Sequence, residues 1–195
     1  MIIGVGVEGP SDRMFWEKVL HKHFRSAKFD IHCMNNRHRL VREAPRLLSA
    51  FKDLHYDAAF LILDQDDSPC FQYVLSEFDV GVKAEATKPL TERFLFICTA
   101  VRQLEAWYLA DEVSIQGLLP KAKYSPPLET GQIKNAVSHL ERLWKKQHGG
   151  LALNKKDFAA SMAPKFIPKQ AQRRSQSFDH FWSRVSLKVA QAKNP

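Results

Sequence analysis

Cysteine is scarce in this chain. Of its 195 residues only Cys33, Cys70 and Cys98 are thiols, and no two form a C-x-x-C pair. An odd, scattered set argues against a disulfide framework and against a structural zinc site. Long hydrophobic runs are missing too. No stretch approaches the roughly 20 apolar residues that cross a bilayer, so no membrane partner is expected. The opening MIIGVGVEGP has no basic residues and only a short apolar run. It reads as a buried strand and not a secretory leader, which makes the cytoplasm the default location. There is no G-x-x-x-x-G-K-[ST] phosphate loop, no zinc finger, no helix-turn-helix and no internal repeat. His21 and His23, two apart on a helix, point to different sides and make no metal pair.

Acidic residues are unevenly spread. Residues 1–120 hold 14 Lys/Arg against 17 Asp/Glu, and residues 121–195 hold 15 against 4. A mildly acidic front is therefore followed by a strongly basic back. A basic face attracts polyanions such as nucleic acid, although a solvated lysine-rich exterior has the same composition. Hydrophobic residues make up 45% and charged residues 26%, the balance of a globular chain with a sizeable core.

Continuous apolar runs at 2–7, 58–63 and 94–99, with a shorter strand at 28–34, suit strands covered on both faces. Helices are expected between them: from Ser11 as N-cap through Phe24, over 40–54 with Pro45 near its start, over about 70–78, and over 101–111. Strands alternating with helices predict an α/β fold with a mostly parallel central sheet. After Pro120 the pattern changes. Helices are expected over 133–147 and 155–163, and a last one carries Phe178, Phe181, Trp182, Val185 and Val189 on one face. The stretch 164–175 is basic and poorly periodic. The division is thus a core over 1–120 and a basic helical extension over 121–195 that packs on it.

Acidic groups fall where the apolar strands end. Glu8 closes the first, Asp64 and Asp66 follow the third, and Glu105 lies shortly after the fourth. Open parallel sheets bind ligands outside the carboxyl ends of their strands. Carboxylates converging there either share protons or hold cations, since two unit charges about 4 Å apart cost roughly 4 kcal/mol at an effective dielectric of 20. All-oxygen donors suit magnesium or manganese, as one or two ions. Each acid also has a purely structural reading. Asp64-Gln65-Asp66 could be turn chemistry, Glu8 a strand-to-helix turn, and Glu105 a partner of Arg102.

Glu8-Gly9-Pro10-Ser11-Asp12 followed by an amphipathic helix resembles the glutamate motif of TOPRIM domains, and Asp64-Gln65-Asp66 after an apolar strand resembles their Asp-x-Asp motif. The acid at Asp12 looks most like the overcoming-lysogenization-defect (OLD) branch, a nuclease family. Arg102-Gln103-Leu104-Glu105-Ala106-Trp107-Tyr108-Leu109-Ala110-Asp111 looks like a signature of small stand-alone relatives of that branch. The resemblance covers 1–111 and is loose beyond. It implies a TOPRIM-like Rossmannoid core that hydrolyses nucleic-acid phosphodiesters, with metal held by Glu8, Asp64 and Asp66, and with Asp12 and Glu105 completing a second metal position. It also implies an assisting lysine, for which Lys155, Lys156 and Lys165 are candidates.

The resemblance has departures. OLD proteins carry an ATPase domain, so any ATP-driven step would need a separate ATPase partner. No tyrosine among Tyr56, Tyr73, Tyr108 and Tyr124 sits in a nucleophile pattern, which turns the reading from topoisomerase to nuclease. Lys155, Lys156, Lys165, Lys169, Arg173 and Arg174 are candidate phosphate contacts that position DNA without reading its sequence. The expectation is a metal-dependent DNA nuclease, with defence against phage or mobile DNA as the role the family implies and a homodimer as a further expectation. A non-catalytic adaptor for an ATPase, and a phosphatase on a similar sheet, are the other readings.

Overall fold

The computed structural model describes residues 1–191; the last four residues of the expected extension lie outside it. The strands are β1 (Ile2–Val7), β2 (Lys28–Cys33), β3 (Ala58–Asp64) and β4 (Leu95–Ala100). They form one all-parallel sheet in the order β2-β1-β3-β4. Around it lie α1 (Pro10–His23), α2 (Arg37–Asp53), α3 (Phe71–Ser76), α4 (Val80–Thr87), α5 (Leu104–Ala110) and α6 (Glu112–Leu118). The C-terminal part adds α7 (Ala136–Gln147), α8 (Lys155–Met162), α9 (Pro168–Gln172) and α10 (Gln176–Gln191). The protein is thus an α/β fold whose parallel sheet is flanked by helices. No helix among the described residues is long and apolar enough to cross a membrane.

β1, β3 and β4 are almost wholly apolar because both faces of the sheet are covered there, whereas the edge strand β2 alternates, burying Phe29 and Ile31 between Lys28, Asp30 and His32. Ala58, Phe60 and Ile62 of β3 enter a large core with α1, α5 and α10, while Ala59, Leu61 and Leu63 enter a smaller one under α2 and α4. Two glycines in β1 let α2 come close. A Cβ on Gly4 would stand 2.6 Å from the Phe51 ring of α2, and one on Gly6 would stand 3.0 Å from Leu40 of α2 and 2.7 Å from Leu61 of β3. The larger core joins Phe15 and Trp16 of α1 to Trp107, Phe158, Phe166, Phe178 and Phe181. Residues beyond 120 therefore share the core of the sheet.

Three local expectations are corrected. The first helix is capped at Gly9, not Ser11, because the Asp12 carboxylate reaches back to the Gly9 N–H at 2.8 Å. The second begins at Arg37, where the Asn36 side chain accepts the Arg39 N–H, so Pro45 lies in the helix interior. The expected helix over 101–111 is two: Asp111 ends α5 and its side chain caps α6 through Ser114. Helices α4 and α9 add order where the sequence showed little period.

Candidate metal centre

The strand order decides where the acids meet. β1, β3 and β4 are consecutive in the sheet, with Val7 in register with Ile62 and Asp64 with Ala100. Their carboxyl ends therefore form one rim. Glu8 follows β1 directly, Asp64 is the last residue of β3, and Glu105 enters from α5 just after β4. The side chain of Glu8 crosses to the neighbouring strand, where its Oε1 accepts the Asp64 N–H at 2.8 Å. Asp64 Oδ1 in turn accepts the Leu104 N–H at 2.7 Å, which ties the start of α5 to the end of β3. Each bond fixes one carboxylate oxygen and leaves the other available.

Charge couples the whole set. Burial pushes Glu8 up to about 7; the Asp64 N–H opposes this and the negative charges of Asp12 and Asp66 reinforce it. Asp64 is raised well above the ordinary aspartate range, by burial first and then by Glu8, Glu105, Asp12 and Asp66 together. Asp12 and Asp66 are raised as well, again chiefly by burial, and both feel Glu105. Asp64 is thus the hub of five interacting carboxyl groups.

Lys155 is the cation in this cluster. From the first turn of α8 its Nζ reaches Glu105 Oε1 at 2.9 Å, while Glu105 itself is only 6% exposed. Partial burial pulls the ammonium down, but Glu105 beside it more than offsets this, so Lys155 titrates above its ordinary value and stays charged. The structural pairing of Glu105 with Arg102 is not formed; the Arg102 guanidinium turns to the Asp66 carbonyl at 3.5 Å. Tyr108 adds a further group. Its hydroxyl is buried with no hydrogen-bond partner among the described residues, yet it feels Asp12, Glu105 and Asp64. A buried hydroxyl left unpaired costs about 1–3 kcal/mol, so Tyr108 is a polar group held at a cost near the acids.

Arg37 escaped the sequence reading. Nη1 donates to the Asp64 carbonyl at 2.9 Å, Nη2 to Ser68 Oγ at 3.2 Å and to Glu77 Oε1 at 2.7 Å. It lies 3.7 Å from the Asp66 carboxylate as well. One planar guanidinium thereby holds the loop that carries both aspartates. That loop needs holding. Asp66 and Arg102 both have left-handed backbones, with φ of 49° and 68°, and the Asp66 N–H donates to the Arg102 carbonyl at 2.7 Å. Non-glycine residues in this region cost about 1–3 kcal/mol each and cluster at functional sites. Arg37→Ala is expected to destabilise the fold by about 2–4 kcal/mol. Arg37→Lys should restore little of it, since a point charge cannot serve the fork of acceptors. Thermal melts of the two variants check this.

The donor set is all carboxylate oxygen with a phenol beside it, which fits a hard cation such as Mg²⁺ or Mn²⁺ and not zinc. Among the described residues no group of three or more His, Cys, Asp or Glu side chains is arranged so that it could hold a metal ion as it stands. Like charges repel, and each carboxylate is held by a donor of its own. Asp12 has a structural duty besides, accepting from Gly9 and from Ser11 Oγ at 3.2 Å.

The basic residues separate. Lys155 belongs to the acid cluster, whereas Lys156, Lys165, Lys169 and Arg173 are exposed. Arg174 is engaged in the fold, with its guanidinium on Glu112 Oε2 at 3.0 Å and on the Pro127 carbonyl at 3.4 Å.

No curated protein and no solved structure matches the chain. A family described as a domain of unknown function, DUF4276, matches residues 7–186. That stretch begins one residue before Glu8 and takes in every carboxylate of the cluster, Arg37, Tyr108 and Lys155. The chain belongs to the DUF4276 family.

Proposed function

We propose that the protein is a divalent-metal-dependent nuclease acting on DNA phosphodiesters. The observation that carries this reading is the Glu8 carboxylate on the Asp64 N–H at 2.8 Å, with Asp12, Asp66 and Glu105 acting electrostatically on the same aspartate. Glu8, Asp64 and Asp66 would hold one ion, with Asp12 and Glu105 available for a second. An ion bound there supplies Lewis-acid polarisation of a phosphoryl oxygen and a more acidic water. The chain's own residues do the rest. Glu8 and Asp64 fix each other through the strand-to-strand hydrogen bond, and Arg37 fixes Asp66. Lys155 keeps its proton and carries positive charge toward the developing oxyanion, an electrostatic role and not a proton-accepting one. Lys156, Lys165, Lys169 and Arg173 add exposed positive charge that suits a phosphate backbone.

The substrate class rests on the TOPRIM and OLD resemblance of the Glu8–Asp12 and Asp64–Asp66 motifs, and so does a role in defence against phage or mobile DNA. Supercoiled plasmid incubated with the purified protein and Mg²⁺ or Mn²⁺ tests the reading. Wild type is expected to nick or linearise it. Glu8→Gln should lose about 10²–10³-fold, and Lys155→Met about 10²-fold, in line with the loss of a charge aimed at the transition state. Nicking that survives Glu8→Gln unchanged would assign it to another protein in the preparation. Salt-dependent DNA binding without turnover, together with a co-purifying ATPase, would favour the adaptor reading.

A further inference from the structure

A second feature lies beside the acids, on the outer side of β4. A cavity of about 610 Å³ opens there, between the loop after β3, the start of α3 and the exposed flank of α10. Its size lies within the roughly 300–1,000 Å³ of small-molecule sites. Gln65, between the two aspartates of the candidate metal centre, forms part of its wall. The cavity and the acids therefore share one loop.

The floor is the open edge of the sheet. The Phe94 and Ala100 carbonyls accept from Ala59 and Gln65 on the β3 side. By the two-residue period of a strand, the main-chain N–H and C=O of Ile97 and Thr99 face the other way, into the cavity. Such groups seek partners when covered. The amide side chains of Gln132 and Gln176 stand on the rim and offer donors and acceptors of the same kind. Phe71, exposed on α3, provides an aromatic face at the mouth. Arg184 supplies a positive charge to the wall, and His180, one turn away on α10, adds an imidazole. Glu129 is the carboxylate of the lining. Its two oxygens accept the main-chain N–H groups of Gly131 and Gln176, and it forms no ion pair with Arg184 among the described residues.

A flat aromatic platform, a row of main-chain and amide hydrogen-bonding groups, and a guanidinium with no carboxylate partner among the described residues together match one ligand class. We propose that this cavity receives a single nucleotide of the substrate strand, next to the phosphodiester held at the carboxylates. Phe71 stacks on the base, the β4 edge and the two glutamine amides meet the base edge, and Arg184 holds a flanking phosphate. The assignment rests on the nuclease reading for its biological meaning, but the binding itself needs no metal.

Deoxyadenosine monophosphate titrated calorimetrically into wild type in metal-free buffer tests it. Saturable binding is expected. Phe71→Ala should weaken it about 10-fold, the effect of losing one stacked base, and Arg184→Ala at least as much. Phe71 is exposed, so its variant is expected to keep the wild-type melting temperature. Inorganic phosphate alone should bind at least 10-fold more weakly than the nucleotide. No saturable nucleotide binding, affinity unchanged in both variants, or phosphate binding as tightly as the nucleotide would each overturn the proposal. Asp64→Asn separates the two claims. It should abolish plasmid cleavage while leaving nucleotide binding intact. If cleavage persists in that variant, the nuclease reading fails and the cavity is still decided by the nucleotide titration.

Discussion

Asp64→Asn is expected to make the protein more stable and inactive in the same step. The wild-type carboxyl sits at the end of a buried strand, under the charge of four other acids. Replacing it by a neutral amide keeps the Oδ1 that accepts the Leu104 N–H and removes the repulsion. Replacing buried charges by neutral groups is often stabilising by about 1–4 kcal/mol. For a chain of this length each kcal/mol moves the melting temperature by about 2–4 °C, so a rise of roughly 3–10 °C is expected in metal-free buffer. Activity should fall about 10³-fold or more, because several kcal/mol of transition-state stabilisation depend on a cation the variant holds poorly. A stabilised but inactive variant is the signature of a functional group that the fold tolerates at a cost. A destabilised Asp64→Asn would instead mark this carboxylate as a structural cap.

The second large effect is in the pH dependence of stability without metal. Glu8 has a folded-state value of about 7 against an ordinary 4.5. The folded protein therefore binds this proton more tightly than the unfolded chain. The resulting stability is fully present below about pH 4.5 and is lost as pH rises through 7, at most about 3 kcal/mol for this group. Asp12, Asp64 and Asp66 are raised as well and act in the same direction. His23 and His139 oppose it, since burial holds both below their ordinary value and the unfolded chain takes up their protons first. The difference between wild type and Glu8→Gln removes that background. Between pH 5 and pH 8 the melting temperature of wild type should fall relative to the variant by roughly 5–10 °C. Added Mg²⁺ should reverse the fall at pH 8 and do little at pH 5, because it competes with protons for the same oxygens.

The runs 2–7, 58–63 and 94–99 were legible as strands because a parallel sheet covered on both faces leaves no polar residue to interrupt them. Glu8, Asp64 and Glu105 stood out because each falls at or just after a strand end. Their meeting was not legible, since it depends on β1 and β3 being neighbours, and no local pattern states strand order. Arg37 was missed for a related reason. Its partners lie on a loop far along the chain, and as one of several arginines opening α2 it carries no signature. Lys155 could not be told from Lys156 or Lys165, because only the packing of α8 on α1 brings it to Glu105. Tyr108 was set aside for lacking a nucleophile pattern, and the structure gives it a different interest as a buried hydroxyl near the acids. Arg174 shows the converse. It sits in the basic stretch, but the turn before α10 directs it to Glu112.

The central claim is that these carboxylates together hold a divalent ion, and calorimetric titration of Mn²⁺ and Mg²⁺ into metal-free protein at pH 8 tests it most directly. The account predicts saturable binding in wild type, weakened at least about 10-fold in Glu8→Gln and in Asp66→Asn, since each removes a charged oxygen donor from a hard cation. Equal heats in all three proteins, or none in any, would contradict it.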